Sequence, residues 1–205
     1  MPKQKDLSMT DKMSVYKKIL VVAAMPEELS AVSSEFSRAP EGCSVEGLIT
    51  GMGMTATASA LSRAISANRP DLIIDVGICG AINHEIPIGA IVQVDSDTVA
   101  PFGVMRGGVF VPFINEIYNA KNNLILPYLR ASAATVTLAC GELPDAYDVE
   151  SMEGAAVFAL CAAHDIDSLQ IRTVSNYMGT PRSEWRIELA LDELRKAIRE
   201  TIQQF

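Results

Sequence analysis

Residues 17–28 read KKILVVAAMPEE, and this stretch predicts one strand that passes directly into one helix. Two lysines lead into the aliphatic and β-branched run ILVVAA, which is typical of a strand buried on both faces. Pro26 suits the first turn of a helix, because its fixed φ fits there and the amide hydrogen that it lacks would have had no partner. The stretch therefore predicts a strand–turn–helix unit that carries two carboxylates, Glu27 and Glu28, just after the strand.

The rest of the chain repeats this alternation of strands and helices. Alanine-rich residues 55–67 predict a second helix that stops near Pro70, and residues 185–204 predict a terminal amphipathic helix. The alternation predicts an α/β fold of three layers, in which helices cover both faces of a mostly parallel, mixed sheet. Apolar runs predict its other strands at SVEGLIT (44–50), DLIIDVG (71–77), AIVQVDSDTV (90–99), ATVTLA (134–139) and SLQIRTVS (168–175).

The composition predicts one globular domain that binds a small molecule. The chain has 205 residues, of which 49% are hydrophobic and 20% are charged, so it can bury one sizeable core. Its formal net charge of −8 disfavours general binding to nucleic acid or to an anionic membrane, because both depend on basic patches. We expect a loose polar tail over residues 1–16 and a single domain over residues 17–205.

Cysteines, histidines and the amino-terminal residues argue against several classes of protein. The four cysteines are widely spaced without a CxxC pair, and the two histidines, His84 and His164, are too isolated to form a metal site. No apolar run reaches the roughly 20 residues that span a bilayer, and the start MPKQKDLSMTDKMS lacks the apolar segment of a signal peptide. We therefore expect a cytoplasmic protein with reduced thiols, no metal and no cofactor.

The carboxyl ends of the predicted strands mark the expected ligand site, because ligands bind there in parallel sheets of this kind. The glycine-rich ends predict turns that let a ribose or alkyl group approach backbone amides, since glycine has no side chain to keep it away. The first of these turns also has the outline of a dinucleotide fingerprint, but it follows the second strand instead of the first. The four ends read AAMPEE (23–28), TGMGMT (50–55), VGICGA (76–81) and VSNYMG (174–179).

Two further carboxylates stand at the mouth of a predicted buried helix. Residues 148–157 read DVESMEGAAV, and the chain continues without a polar residue as far as Ala163. Glu150 is interpreted as a first-turn residue that complements the helix dipole. Glu153 lies one turn deeper, beside Gly154, where a carboxylate is costly to bury unless something satisfies it. We therefore expect a ligand near Glu153.

These segments together resemble the superfamily of nucleoside phosphorylases and nucleosidases. AAMPEE, GMGMTATA, DVGICGA, SMEGAA and the VSN strand end carry the resemblance, which covers nearly all of the chain after residue 17. The pattern is most similar to nucleosidases that hydrolyse methylthioadenosine and S-adenosylhomocysteine, and still more to the futalosine hydrolases of menaquinone biosynthesis. That last preference depends on SNYMGTPRSEWRIELALDEL (175–194), because family members that act on futalosine share its asparagine, arginine, tryptophan and isoleucine.

The resemblance implies three side chains that act together to break an N-glycosidic bond to a purine. One binds the ribose, one activates the attacking water and one contacts the leaving base. Glu153 matches the acidic residue that grips the ribose hydroxyls, where its charge would favour an oxocarbenium-like transition state. Glu28, in preference to its neighbour Glu27, matches the glutamate that positions and deprotonates the attacking water. Asn176 replaces an aspartate that donates a proton to N7 of adenine, and its amide suits a 6-oxopurine such as the hypoxanthine of futalosine.

Further residues are expected to bind the substrate. Phe110 lies in a stretch, residues 102–113, that is interpreted as a loop near the site, and we expect its ring to stack on the purine; Phe102, Phe113 and Tyr177 are the alternatives. The PRSEW segment supplies a candidate cation for the aromatic carboxylate at the 5' end of futalosine, although solvation at the surface is the commoner fate of such an arginine. The expected substrate-binding residues, besides Glu153, are Met152, Gly53, Gly80, Phe110, Ser175 and Arg182.

Other activities remain open as alternatives. A methylthioadenosine or other purine nucleosidase would use the same groups. Phosphorolysis is disfavoured because the arginine and serine that hold phosphate in hexameric phosphorylases are replaced by Asp75 and Ile78, neither of which binds an anion. A noncatalytic nucleoside-binding protein would have no use for a water-activating base such as Glu28. The resemblance also implies a homodimer or a higher homo-oligomer.

Overall fold

The structure is a computed structural model that describes residues 16–122, 124–138 and 146–205. Its helices are α1 (Pro26–Ser33), α2 (Met54–Ala67), α3 (Gly154–His164) and α4 (Ile187–Ile202), and short 3₁₀ turns lie at Phe36–Arg38 and Arg182–Glu184. Its strands are β1 (Lys18–Ala23), β2 (Ser44–Ile49), β3 (Leu72–Ala81), β4 (Ile91–Val99), β5 (Gly103–Arg106), β6 (Val109–Pro112), β7 (Tyr118–Asn119), β8 (Leu129–Thr135), β9 (Val149–Ser151) and β10 (Asp167–Tyr177).

The described strands form one large mixed sheet and one separate hairpin. The sheet contains eight strands in the order β10-β4-β8-β9-β3-β1-β2, with β7 added beside β4. Strand β10 also pairs with β3, so β3, β10, β4, β8 and β9 make a closed circuit. The pairs β1–β2, β1–β3, β3–β10, β4–β8 and β8–β9 are parallel, whereas β4–β10, β3–β9 and β4–β7 are antiparallel. The predicted mostly parallel, mixed sheet is confirmed.

Alternate residues of the central strands face two different helix layers. Ile19, Val21 and Ile74 pack in one apolar cluster with residues of α1 and α4. Leu20 and Ile73, which point the other way, pack in a second cluster with residues of α2 and α3. Because each such side chain stabilises the fold by roughly 1.5–3 kcal/mol when fully buried, the two clusters hold both helix layers against the sheet. The three-layer prediction is confirmed.

Two strand boundaries differ from the prediction. The fifth strand was expected at residues 134–139, but β8 ends at Thr135, and residue 139 lies outside the described residues. β8 pairs with β4 from Leu129 onward, so its alanines and serine form a strand through pairing in spite of their weak strand propensity. The third strand was expected to end in a glycine turn, but β3 runs on to Ala81 because β10 pairs along its whole length.

Two other segments also differ from the prediction. Glu150 lies in the short strand β9, paired opposite Gly80, and not in the first turn of a helix. The helix begins at Gly154, with Glu153 at its N-cap position. Residues 102–113, expected to form a loop, contain the β5–β6 hairpin. Strand β9 forms by pairing with a distant strand, and the β5–β6 hairpin forms by pairing across a turn. A local sequence pattern contains no information about such pairing.

Of the tail predicted over residues 1–16, the structure describes only Tyr16. Residues 1–15 of the expected tail lie outside the described residues. Tyr16 is anchored, since its hydroxyl donates to Asp167 at 2.6 Å and its ring meets the ring of Phe205 edge-on at 5.6 Å. Within the described ranges, no helix combines the length and the apolar character that crossing a membrane requires.

Candidate active site

One cavity of about 420 Å³ opens at the carboxyl ends of β1, β3 and β10. These strands are parallel, so the segments that follow them meet at one edge of the sheet. The cavity is also lined by the β9–α3 junction and by the start of α4. Seven of the residues predicted from the sequence line it: Glu28, Gly80, Met152, Glu153, Ser175, Asn176 and Arg182.

Glu28 is a buried carboxylate at the floor of the cavity. Its Oε1 accepts a hydrogen bond from the backbone N–H of Ile78 at 3.0 Å, and its Oε2 accepts one from the N–H of Met25 at 3.0 Å. Burial raises the pKa of Glu28, while these two hydrogen bonds and the nearby Arg172 act against the rise. The neighbouring Glu27 also lines the cavity but is exposed, which agrees with the preference for Glu28 as a base.

A buried guanidinium lies beneath Glu28. Arg172 is 1% exposed and forms an ion pair with Asp75, which is 2% exposed. Although burial opposes its charge, the carboxylates of Asp75, Glu153 and Glu28 raise the pKa of Arg172. A Cβ at Gly77 would lie 2.4 Å from Nη1 of Arg172 and 2.7 Å from Oε1 of Glu28, so glycine is required there. The sequence prediction missed Arg172; a lone arginine within a strand expected to be buried was the available signal.

Glu153 faces the cavity from the N-cap position of α3. Its Oε1 accepts a hydrogen bond from the N–H of Gly53 at 2.8 Å, and its Oε2 accepts a weaker one from the N–H of Met152 at 3.3 Å. Gly53 has φ 87°, a value that favours glycine, and it does not itself line the cavity. The predicted glycine turn therefore contacts the predicted ribose-binding carboxylate directly.

Glu150 is a third carboxylate at the cavity, and the sequence prediction gave it no role in the site. It is 6% exposed, and burial raises its pKa. A Cβ at Gly80 would lie 2.8 Å from Oε1 of Glu150 and 3.1 Å from Nδ2 of Asn176, so Gly80 makes room for both side chains. The earlier interpretation failed because Glu150 belongs to a strand that only pairing with β3 creates.

The amide of Asn176 is held in one orientation by its two neighbours. The hydroxyl of Ser175 donates to Oδ1 at 2.7 Å, and Nδ2 donates to the carbonyl of Tyr177 at 3.0 Å. A carbonyl can only accept, so the nitrogen must face Tyr177. The second hydrogen of Nδ2 has no protein partner among the described residues, and the side chain lines the cavity.

Another wall of the cavity comes from the segment that leads into α4. Arg182 lies over the ring of Trp185, with 5.3 Å between its Cζ and the ring centroid. Nε1 of Trp185 donates to the carbonyl of Thr180 at 3.1 Å, which fixes the indole. Ile187 and Leu191 continue this wall as an apolar surface. Arg182 is exposed at the surface and also lines the cavity.

The structure does not bring the expected stacking residue to the cavity. Phe110 lies on the β5–β6 hairpin, 41% exposed, and is not among the residues that line the cavity. The alternatives also lie elsewhere, because Phe102 meets Phe113 edge-on at 5.7 Å and Tyr177 stacks on His84 at 4.6 Å. Among the described residues, Trp185 is the aromatic side chain that lines the cavity. A stacking role for Phe110 stays a prediction.

Comparison with known proteins identifies the family of the chain. The family model of the phosphorylase superfamily matches residues 18–140, which is more than half of the chain. The curated futalosine hydrolase of Streptomyces coelicolor aligns over 195 residues at 30% identity and covers 83% of this chain and 83% of its own. The chain belongs to the phosphorylase superfamily.

Solved structures agree with this membership of the phosphorylase superfamily at the level of the fold. The methylthioadenosine/S-adenosylhomocysteine nucleosidase of Neisseria meningitidis, in complex with methylthio-immucillin-A, superposes with a TM-score of 0.77 at 15% identity, and the match covers 92% of this chain and 100% of that one. The native futalosine hydrolase of Helicobacter pylori gives a TM-score of 0.67 at 13% identity, covering 92% and 95%. The fold predicted from the sequence is confirmed.

The protein also buries a carboxylate, that of Asp97, beneath the amino end of α3. Asp97 is 0% exposed, and one of its oxygens accepts a hydrogen bond from the hydroxyl of Thr135 at 2.8 Å. Its other oxygen accepts one from Nε2 of Gln170 at 3.3 Å. Burial raises the pKa of Asp97 from the usual 3.8 to about 6, although these hydrogen bonds and Arg172 act in the opposite direction.

We expect the protein to be more stable at mildly acidic than at mildly basic pH. A carboxyl with a raised pKa binds its proton more tightly in the folded state, so its stabilising effect is complete below pH 3.8 and is lost as the pH rises through about 6. Asp97 alone should lower the free energy of unfolding by on the order of 1 kcal/mol between pH 5 and pH 8. Asp75 and Glu28, whose pKa values burial also raises, act in the same direction. Carboxyls whose pKa is lowered are ionised throughout this range.

Denaturant titrations at several pH values measure this trend. Asp97→Asn should reduce the slope without abolishing it, because burial also raises the pKa of Asp75, Glu28 and Glu150. The exposed Asp192→Asn serves as a control and should leave the slope unchanged. An Asp97→Asn protein with the full wild-type slope would show that Asp97 is ionised in both states.

Proposed function

We propose that this N-glycosyl hydrolase cleaves futalosine and releases hypoxanthine, as a step of menaquinone biosynthesis. The observation that carries the proposal is the arrangement of Glu28, Glu153 and Asn176 around one cavity, in a chain that is 30% identical to a curated futalosine hydrolase. We further propose, on the resemblance, a cytoplasmic homodimer or higher homo-oligomer. Each group has a defined task in the reaction.

Glu28 is the proposed base. A water oxygen attacks C1' of the ribose while the bond from C1' to the purine nitrogen breaks, and the electron pair of that bond leaves with the purine. Glu28 takes a proton from the water, and the departing purine anion takes up a proton from solvent, so the protons balance. The fixed N–H groups of Ile78 and Met25 hold the carboxylate of Glu28 in place. Its raised pKa supports this role, because a base works best with a pKa nearer to the working pH.

Glu153 is the proposed ribose clamp. Its two oxygens can accept hydrogen bonds from two neighbouring hydroxyls of the ribose, in addition to the N–H groups of Gly53 and Met152. Its negative charge stabilises the positive charge that develops on the ribose ring in the transition state. The ligand would thus complete the hydrogen bonding of a carboxylate that is 7% exposed.

Asn176 is the proposed reader of the leaving base. Its free amide hydrogen can bond to N7 or to O6 of hypoxanthine, where the negative charge of the departing purine is spread. Its oxygen, already bonded to Ser175, keeps a lone pair that can accept from N1–H. Adenine presents an amino donor at position 6, so the same amide fits it less well.

Water is a better candidate for the nucleophile than phosphate. Asp75 is buried in its ion pair with Arg172, and Ile78 uses its N–H to hold Glu28. Arg172 is 1% exposed and does not line the cavity, so its charge is not presented to a bound anion. The floor of the cavity instead carries carboxylates, which would repel phosphate.

The α4 wall suits the 5' substituent that distinguishes futalosine. Futalosine ends in an aromatic carboxylate, and this wall combines the apolar side chains of Ile187 and Leu191 with the guanidinium of Arg182. The ring of Trp185 beneath that guanidinium limits its freedom, so less entropy is lost when it binds an anion. Arg182 is therefore the proposed partner of the substrate carboxylate.

A competition between nucleosides tests the proposal. Purified protein is incubated with futalosine and with methylthioadenosine, with and without phosphate, and the free base is measured by chromatography. We expect hypoxanthine release that does not require phosphate, and a kcat/KM that favours futalosine by about a hundredfold or more. Equal use of both nucleosides would indicate a general purine nucleosidase, a phosphate requirement would indicate a phosphorylase, and binding without release of base would indicate a noncatalytic protein.

A further inference from the structure

The first turn of α3 is capped in an unusual way. The side chain of an N-cap residue ordinarily accepts a hydrogen bond from the backbone N–H two or three positions later. Glu153 occupies the N-cap position, yet its side chain caps neither N–H. Both of its oxygens instead contact N–H groups that precede the helix, those of Gly53 and Met152. The backbone carbonyl of Glu153 accepts from the N–H of Ala156 at 2.9 Å, so the N–H of Ala155 is the first-turn amide that needs another acceptor.

Thr135, at the end of β8, supplies that acceptor. Its hydroxyl oxygen accepts a hydrogen bond from the N–H of Ala155 at 2.8 Å, at the second helical position, where an N-cap side chain would ordinarily bond. Both residues are buried, with 0% of Thr135 and 1% of Ala155 exposed. Water cannot take over this hydrogen bond without opening the junction between β8 and α3. The cap thus comes from a distant strand, 20 positions earlier in the chain.

Asp97 orients the hydroxyl that caps the helix. A threonine hydroxyl has one hydrogen, and in Thr135 this hydrogen is donated to Oδ1 of Asp97 at 2.8 Å. The oxygen lone pairs are therefore left to face Ala155. Oδ2 of Asp97 is held in turn by Nε2 of Gln170 on β10. Strands β4, β8 and β10 thus converge on the amino end of α3.

Gly154 brings the helix directly onto this group. A Cβ at Gly154 would lie 2.2 Å from Oδ2 of Asp97 and 2.2 Å from Nε2 of Gln170, distances that no real side chain could occupy. The absence of a side chain lets the first helical residue lie against the buried amide and carboxylate. The position of the backbone at Glu153 is therefore set by contacts on the side of the helix away from the cavity.

We infer that Thr135, held by Asp97, is a positioning residue for the ribose-binding carboxylate: it caps α3 in place of Glu153 and so leaves both oxygens of Glu153 to the cavity side. The inference rests on the proposed function, in which Glu153 binds the ribose hydroxyls. Without the Thr135 hydroxyl, the unpaired N–H of Ala155 would compete for the carboxylate of Glu153, which is the nearest N-cap side chain. The clamp would then lose its geometry.

The test uses a readout that follows the ribose hydroxyls and not stability. We measure kcat/KM for futalosine and for its 2'-deoxy counterpart, and take the ratio. Wild type should prefer futalosine, and Glu153→Gln should lower that ratio, which checks the proposed clamp independently. Thr135→Val should lower the kcat/KM for futalosine by about ten- to a hundredfold, as expected for a small misplacement of a reacting group, and should reduce the ratio as well. Thr135→Ser, which keeps the hydroxyl, should restore both.

A control variant and a second test variant separate a positioning role of Thr135 from a general loss of structure. Thr201 is buried and donates its hydroxyl to the carbonyl of Ala197 at 2.8 Å within α4, so Thr201→Val matches the chemical change but should leave the ratio unchanged. If Thr135→Val does not fold, Thr135→Ala, which also lacks the hydroxyl but is smaller, should give the same fall in the ratio.

The possible results distinguish failure of the inference about Thr135 from failure of the proposed function. A Thr135→Val or Thr135→Ala protein that loses rate equally on both nucleosides would overturn the inference and leave Thr135 a stabilising residue. A ratio that Glu153→Gln does not change, or a wild type that releases no hypoxanthine from futalosine, would overturn the proposed function and the inference with it.

Discussion

Glu28→Gln is expected to lower the kcat for futalosine by about 10² to 10⁴ while the affinity for the nucleoside stays nearly constant. A base that deprotonates water contributes mainly in the transition state, so its loss appears in kcat and not in binding. Glutamine keeps the size of the side chain and removes its ability to accept a proton. Equilibrium binding and steady-state rates measured on the same preparation separate the two quantities.

The substitution also has a structural cost that the measurement must exclude. Both oxygens of Glu28 accept backbone N–H groups, from Ile78 and from Met25, whereas glutamine has only one oxygen. One of these N–H groups therefore loses its partner, at a cost of about 1–3 kcal/mol of stability. Glu46→Gln is the control, because Glu46 is exposed on β2 and does not line the cavity, and it should leave kcat within about twofold. If affinity for futalosine collapses together with rate in Glu28→Gln, Glu28 is a binding residue and not the base.

Asn176→Asp is expected to erode the preference for a hypoxanthine nucleoside over the adenine nucleoside with the same 5' group. In the wild type this preference can reach about 10⁴, because a site built for one pattern of hydrogen bonds leaves buried polar groups unpaired when it holds the other. The amide of Asn176 can donate a hydrogen bond to N7 but cannot transfer a proton, whereas a carboxylic acid can do both. Adenine, the poorer match for the amide, should gain most from the change.

The surroundings of Asn176 favour the protonated acid in this variant. The atom that faces the carbonyl of Tyr177 must be a donor, so an aspartate there is stabilised when it carries a proton. The ratio of kcat/KM for the two nucleosides, measured in wild type and in Asn176→Asp, tests the prediction. Asn68→Asp is an exposed control outside the cavity and should not alter the ratio. A wild type that uses both bases equally would refute the role of Asn176 as a reader of the base.

Local patterns predicted the parts of the site that follow strand ends. KKILVVAAMPEE places Glu28 just after a strand and in the first turn of a helix, and the structure has the same order in β1 and α1. Gly80 and Asn176 likewise lie at the cavity near the ends of β3 and β10, although β3 continues through the expected glycine turn to Ala81. This succeeded because strand and helix periods are properties of neighbouring residues, and because parallel strands in an alternating chain must end at one edge.

Long-range pairing decided what these patterns could not. Glu150 looked like a helix residue because the three-residue strand β9 exists only through its pairing with β3 and β8. Phe110 was expected at the purine, but the hairpin holds it away from the cavity, and the cavity wall is formed by Trp185 instead. Short strands and turns occur in many different tertiary arrangements. The local sequence around such an element therefore does not show which cavity its side chains reach.

The sequence by itself determined the layered α/β fold and the edge of the sheet at which the site lies, because residue periods and the alternation of strands and helices are local properties. The roles expected of Glu28, Glu153 and Asn176 came from the resemblance of the chain to a known family. The tertiary structure alone decided how those groups are held. Arg172 lies under Glu28 because β10 pairs with β3, and Thr135 caps α3 because β8 ends beneath it. Because Arg172 and Thr135 are buried, they depend on Asp75 and Asp97 from other strands, and no water is available to replace these partners.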